Sequence, residues 1–465
     1  MLRPIVLAAG LIIAATTAPV KATQEFTGSL PSGAYYHVEV PDGWQAGGTL
    51  VLYQHGLDFT PPANTPGLGP LRSVMLAEGY AIAATTYRER GWALFTAIED
   101  NRDLVDEFER LAGAPGEVVP FGGSMGGLVA LKLAEARGFP PVHGTYALCP
   151  AAGGARLWDA GIDLRLAFDV VCGADGAGEF PQGDPPLPWA LNLSDIPNGL
   201  GDLLDDVELL PVLLPLEQCT GVNLPPELRN DAMQRRLSEL MAFAHITDED
   251  FFVINIGYAT FALSDLVRAP DKLDARNPFT TLGVDYSSDP LVQANIPRFV
   301  ADPAAAAELR LVSNFSGAIG DSKVLSMHTS EDQLVVPGNE DFVRDAVPAD
   351  QRTIAIVDET SPTHCGFTDA EGLAGWEALR AWKDGGPQPS VADLQTQCQA
   401  IAASGVANGP CRFDPDADTV PFDDIVRERP GVVEHVPAHS AHQRPTEPAP
   451  ARALEGVRAR APLAR

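Results

Sequence analysis

Basic residues are scarce in this chain of 465 residues: 32 Lys and Arg stand against 62 Asp and Glu, for a formal charge of -30. A surface that negative repels phosphate backbones and anionic lipid over most of its area, which excludes a general nucleic-acid binder. Cysteine is limited to six residues and none forms a Cys-x-x-Cys pair, so neither a zinc ribbon nor a redox pair is suggested. No repeat of fixed period runs through the chain. Beyond the N-terminus no stretch reads as long and apolar enough for a transmembrane helix, so no integral membrane span is expected. Apolar residues, in contrast, make up 45% of the chain, ample for a full core. At roughly 150 residues per domain, the length suits two or three units or one large domain carrying insertions.

The N-terminus reads as an address. In MLRPIVLAAGLIIAATTAPVKA, Arg3 gives a positive start, Ile5 to Ala15 an apolar run, and Val20-Lys21-Ala22 a small-residue cleavage signal. This is the three-part grammar of a secretory signal peptide, with cleavage expected after Ala22 and a run too short to serve as a permanent span. No cysteine follows the run, so a lipoprotein anchor is not indicated. The expected location is secreted or periplasmic, where disulfides persist. Spacing alone does not choose among the possible pairings of the six cysteines. The expected set is Cys172 with Cys219, Cys398 with Cys411, and Cys149 with Cys365, the last tethering the segment around His364.

From residue 23 to 150 strands and helices alternate. Tyr35 to Val40, Thr49 to Tyr53, Ala81 to Thr85, Glu117 to Phe121 and His143 to Cys149 read as strands. Leu71 to Glu78 and Met125 to Ala136 read as helices, and Ala97 to Leu111 places Ile98, Leu104, Val105, Phe108 and Leu111 along one helical side. That rhythm predicts an α/β architecture, a mostly parallel sheet with helices on both faces. It stops over 151–307, a Pro-, Gly- and Leu-rich stretch with helix-like pieces such as Pro226 to His245, expected to be a cap or lid insertion. It resumes over 308–385 with strands at Lys323 to His328 and Arg352 to Val357, and helices near Gly338 to Val347 and over Asp369 to Lys383. Residues 386–429 form a short extension. Residues 430–465, rich in Pro, Ala, Arg and His, are expected to be a disordered tail.

The chemistry centres on Phe121-Gly122-Gly123-Ser124-Met125-Gly126-Gly127, which contains Gly-x-Ser-x-Gly. In a chain with 43 glycines the pentapeptide alone says little. Its position, directly after a strand and directly before a helix, is the context of a nucleophile elbow. No Gly-Lys-Ser/Thr follows, so a phosphate-cradling loop is not indicated. A serine hydroxyl needs a histidine to accept its proton and a carboxylate to orient that histidine. Asp332 lies past the end of the strand Lys323 to His328, and His364 lies on the loop after the strand ending near Val357. The order Ser124, Asp332, His364, each at a strand's end, marks them as the catalytic triad. Glu331 is the neighbouring alternative acid, and the helix-side register favours Asp332. His328 competes with His364 but sits at the end of the strand and reads as packing, while His143 and His245 read as structural or surface-exposed. Met125 and Leu57 are the expected oxyanion-hole donors, Leu57 from the loop Gln54-His55-Gly56-Leu57. His435, His439 and His442 have ligand-like spacing, but in so polar a tail no metal is expected.

With these residues in hand, the chain resembles a secreted member of the α/β-hydrolase superfamily of serine hydrolases, esterase- or lipase-like. The resemblance rests on His55-Gly56, Gly122 to Gly127, the run from His328 to Pro337, and Thr363-His364-Cys365-Gly366-Phe367, over about 35–150 and 310–385. It implies an α/β-hydrolase fold with a large cap insertion, no cofactor, and a small-molecule or polymeric ester as substrate. Polyesters and plant-derived esters are in view, with an exported serine peptidase of the same fold as the alternative. Secreted tannase and feruloyl-esterase families place cysteines beside both the serine and the histidine. Here Cys365 follows His364, but Gly123 precedes Ser124. Phe251, Phe252, Tyr258 and Phe261 of the insertion wall an acyl pocket on one reading, and pack as cap core on the other, which apolar runs favour.

Overall fold

The computed structural model describes residues 23–60, 62–173 and 210–430. The expected signal segment 1–22, the tail beyond residue 430 and residues 174–209 of the insertion lie outside the described residues. Strands β1 (Thr23–Ser29), β2 (Tyr35–Pro41), β3 (Thr49–Gln54), β4 (Ala81–Thr85), β5 (Glu117–Gly123), β6 (Gly144–Leu148), β7 (Lys323–Thr329), β8 (Arg352–Val357) and β9 (Phe413–Asp414) form one sheet. Their nine-stranded order is β1-β2-β4-β3-β5-β6-β7-β8-β9. The central block from β4 to β8 is parallel. The edges β1, β2 and β9 pair antiparallel. This is the α/β-hydrolase fold.

Helices α1 (Arg72–Glu78), α2 (Ala97–Ala112) and α3 (Met125–Glu135) carry the early crossovers. The central strands are apolar without interruption because both their faces are covered. On β3 the period of two is visible in the layers: Leu50 and Leu52 join Leu104 and Phe108 of α2, whereas Val51 joins Met75 of α1 on the opposite face. Burial of this kind contributes about 25 cal/mol per Å² of apolar area, which holds the layers together.

Between β6 and β7 the chain builds an all-helical cap. Its helices are α4 (Leu157–Gly173), α5 (Leu210–Thr220), α6 (Asp231–Phe243), α7 (Glu249–Gly257), α8 (Leu263–Arg268), α9 (Pro290–Asn295) and α10 (Pro303–Ser313). Asn230, Asp248, Asp289 and Asp302 cap α6, α7, α9 and α10 by accepting from the first free backbone N–H groups. A π-helical turn, Tyr258–Ala262, joins α7 to α8. The resulting stretch Glu249–Arg268 has the length and apolar composition of a membrane span, which corrects the expectation that no later segment does, yet 72% of its most apolar window is buried in the protein. Phe251, Phe252 and Phe261 lie inside the same buried cluster. They are cap core.

Past β7 come α11 (Glu340–Ala346), α12 (Asp369–Lys383), α13 (Val391–Ser404) and α14 (Phe422–Ile425). The three disulfides join the expected pairs: Cys149–Cys365, Cys172–Cys219 and Cys398–Cys411. Beyond α14 the chain reaches back into the cap. Arg429, 4% exposed, donates to Asp163 at 2.9 Å, and the Tyr286 hydroxyl donates to the same carboxylate at 2.6 Å. Arg427 stacks over Phe243 at 3.8 Å, and Arg156 pairs with Asp423.

Candidate active site

The C-terminal ends of the parallel strands carry the candidate residues. At the end of β5, Ser124 takes φ 58° and ψ -129°, a left-handed conformation that a non-glycine residue holds only when its surroundings impose it. Its N–H donates to Leu148 O at 2.9 Å, and its carbonyl accepts from Gly127 at 3.0 Å and Ala151 at 3.1 Å. So sharp a strand-to-helix turn needs bare backbone around it. A Cβ on Gly122 would stand 2.6 Å from Gln54 O, and one on Gly126 would run into that same carbonyl. The motif glycines are thus required by close backbone approach, and α3 starts at Met125 with its N-terminal amides on the serine's side.

Asp332 sits in the turn after β7 and is 2% exposed, while Glu331 beside it is exposed. One carboxylate oxygen, Oδ1, accepts from the Leu334 and Val335 N–H groups, each at 3.0 Å. The other, Oδ2, accepts from His364 Nδ1 at 2.7 Å. Burial pushes the Asp332 carboxyl up, but the charge and hydrogen bond of His364, the charge of His328 and the Leu334 N–H outweigh it, leaving the group below its ordinary value. His364 is part-buried on the loop after β8. Among the described residues no hydrogen bond joins Ser124 Oγ to His364. Catalytic hydrogen bonds are often long without substrate and tighten when it binds.

The Cys149–Cys365 disulfide links the histidine loop to the residue after β6, next to the serine turn. Cys365 Sγ lies 3.7 Å from His364 Nε2, and a Cβ on Gly123 would stand 3.8 Å from that sulfur. The sulfurs of Cys149 and Cys365, a His364 nitrogen and an Asp332 oxygen all fall within 4.8 Å of one another. The sulfurs are bonded to each other, so this group is no thiolate ligand set for a metal. A second group, Glu25, His37 and Glu39, already holds a cation: Arg72 lies 2.6 Å from Glu39. His435, His439 and His442 lie outside the described residues.

The loop from β3 passes directly under Ser124. A Cβ on Gly56 would stand 3.5 Å from Ser124 Cβ, so Leu57 leaves the loop beside the serine. His55 shapes this loop: its Nδ1 donates to Gly56 O at 2.7 Å, and its ring stacks on Tyr87 with centroids 4.3 Å apart. Burial holds His55 below the ordinary histidine value. Sequence reasoning missed the supports. Gln54 and Asn101 exchange two amide hydrogen bonds of 2.8 Å beneath the loop, and the Tyr87 hydroxyl adds a third at 3.1 Å. Gln333, beside Asp332, accepts from the Thr247 and Asp248 N–H groups at 2.9 and 3.1 Å and so docks the cap on the acid's turn. His328 is fully buried on β7 with Glu340 of α11 beside it. Long-range polar partners leave no local pattern for a sequence reader to find.

No family model matches the chain. An o-phthalyl amidase of Xanthobacter agilis is 25% identical over 417 residues, covering 79% of this chain and 89% of that protein. Among solved structures, an esterase from Aspergillus oryzae is 15% identical with a TM-score of 0.42, over 78% of this chain and 80% of its own. A puromycin hydrolase is 13% identical with a TM-score of 0.35; 80% of this chain is covered, and the chain spans 41% of that protein's length.

Proposed function

We propose that the chain is an exported serine hydrolase that cleaves carboxylic esters through Ser124, His364 and Asp332. The observation that carries this reading is the 2.7 Å His364–Asp332 hydrogen bond beside a serine held at φ 58° on a strand-to-helix turn. His364 Nε2 takes the proton of Ser124 Oγ as the oxygen attacks the ester carbonyl, and Asp332 steadies the imidazolium through Nδ1. The backbone N–H groups of Met125 and Leu57 hold the oxyanion. The imidazolium returns its proton to the leaving alcohol, and the acyl group remains on Ser124. Water then attacks the acyl-enzyme, His364 takes its proton, and the free acid departs as Ser124 regains a hydrogen. The disulfides and the signal-like N-terminus support export.

A second reading, hydrolysis of amides, is favoured by the relative named an o-phthalyl amidase. Both use the same serine and differ in the leaving group. The test is turnover of p-nitrophenyl acetate, butyrate, octanoate and palmitate, and of phthalyl amides, by residues 23–465 and by Ser124→Ala. Ester turnover lost by on the order of 10⁴-fold or more in the variant is the expected result. Turnover of amides alone favours the second reading. Failure of a fluorophosphonate to label Ser124 in folded protein would reject both.

A further inference from the structure

Behind Asp332 the interior holds a second histidine that the proposed chemistry leaves unused. His328 is 0% exposed, and both of its ring nitrogens face acceptors. Nε2 donates to Val335 O at 2.6 Å and lies 3.7 Å from Asp332 Oδ2; Nδ1 lies 3.2 Å from Glu340 Oε1. Glu340 is also 0% exposed, and its Oε1 accepts the Ser326 hydroxyl at 2.8 Å. A neutral His328 that donates through Nε2 would turn its Nδ1 lone pair on an oxygen already acting as an acceptor. Two lone pairs at that distance in a dry site repel, and a proton on Nδ1 removes the conflict.

We infer that His328 and Glu340 form a buried imidazolium–carboxylate pair that holds Asp332 as the anion facing His364, making His328 a positioning residue for the reaction. The inference rests on the triad reading given above. Charge accounting supports it: Asp332 and Glu340 bring two negative charges, His328 one positive, and the remaining negative charge matches the imidazolium that forms on His364. Burial pulls His328 down, but Glu340, Asp332 and Val335 outweigh it and the net direction is up. The other titratable groups facing this set are His364 and Glu359, the latter raised by burial and hydrogen-bonded by Thr363. Arg412 stands 3.9 Å from Glu359. A cation behind Asp332 also weakens the field that its carboxylate exerts on His364, and removing that cation strengthens it.

The test combines ¹⁵N spectra of histidine-labelled protein from pH 6 to 9 with pH profiles of kcat/KM for wild type, His328→Gln and Glu340→Gln. One histidine should keep both ring nitrogens protonated throughout, and its signals should vanish in His328→Gln. Losing the cation should move the acid limb of kcat/KM up by about one pH unit. A single ring proton on His328 at pH 7 overturns the inference, as does a His328→Gln variant that melts earlier but keeps its acid limb. Should His328→Gln not fold, Glu340→Gln keeps the ring in place; its His328 should lose the second proton near neutral pH, and a ring still doubly protonated there also overturns the pair. Wild-type protein whose Ser124 resists a fluorophosphonate would sink the triad reading, and the positioning role with it, while the spectra still report on the ion pair.

Discussion

Cys365 follows His364 directly and is bonded to Cys149, the residue after the strand that lies beside the one leading to Ser124. Both half-cystines have positive φ, 38° at Cys149 and 55° at Cys365, as Ser124 does at 58°. Three non-glycine residues in a sparsely populated region, meeting at one spot, are held there by what surrounds them. The bond closes a loop of 216 residues, so it also restricts the unfolded chain. The double variant Cys149→Ser/Cys365→Ser is expected to lose about 2–5 kcal/mol of stability. Its kcat/KM should fall by roughly tenfold or more as His364 drifts, since small misplacements are costly. Urea melts and ester kinetics together check this; activity within twofold of wild type would assign the bond to stability alone.

Gly126→Ala is the sharpest test of the nucleophile turn. The added methyl meets the main-chain carbonyl of Gln54, which sits at the end of β3 paired with Gly122 of β5. Loss of turnover should accompany a lowered Tm, because strand and helix must part to admit the group. Gly123→Ala meets nothing closer than 3.7 Å and should be far better tolerated. Equal damage from both substitutions would contradict the packing described.

Glu89 offers a pH test remote from the reaction. It is 5% exposed, its Oε2 has no hydrogen-bond partner, and burial with Asp271 and Asp100 nearby pushes its pKa to about 8, against Lys272 and Thr96. The folded state therefore keeps a proton that the unfolded chain releases near pH 4.5, and stability drains away as pH climbs from there to about 8. Glu89→Gln should match wild type at pH 5 and exceed it by on the order of 3 kcal/mol at pH 9. Parallel stability curves for the two proteins would refute it.

Gln333→Ala should loosen the cap. Its amide holds Thr247 and Asp248, and its carbonyl accepts from Asn255 at 3.0 Å. Hydrogen exchange over 244–258 should quicken, and KM for large esters should rise severalfold. Unchanged exchange there would show that the cap is seated by its apolar contacts.

Much of this was readable from the chain because it is local. Gly-x-Ser-x-Gly between a buried strand and a helix announces its own geometry, and Asp332 over Glu331 follows from which side of the turn is inward. The central strands were legible because a sheet buried on both faces must be apolar. β1 was not: TQEFTGS is an edge strand, polar and largely exposed, with nothing to distinguish it from a loop. β9 is two residues long. Glu340, Gln333 and Asn101 were illegible for a different reason, since each matters through a partner far away in sequence.

The arrangement of Arg429, Asp163 and Tyr286 joins parts of the cap that lie far apart in the chain. Asp159 and Asp163 leave the ribosome early, on α4, and the guanidinium that neutralises them arrives only with the end of the described chain. Within the cap itself the Tyr286 hydroxyl is already on the Asp163 carboxylate, and Arg429 adds the opposite charge. A clip or stop that removes Arg429 therefore takes the guanidinium from a buried carboxylate of the cap and leaves every strand of the sheet in the chain.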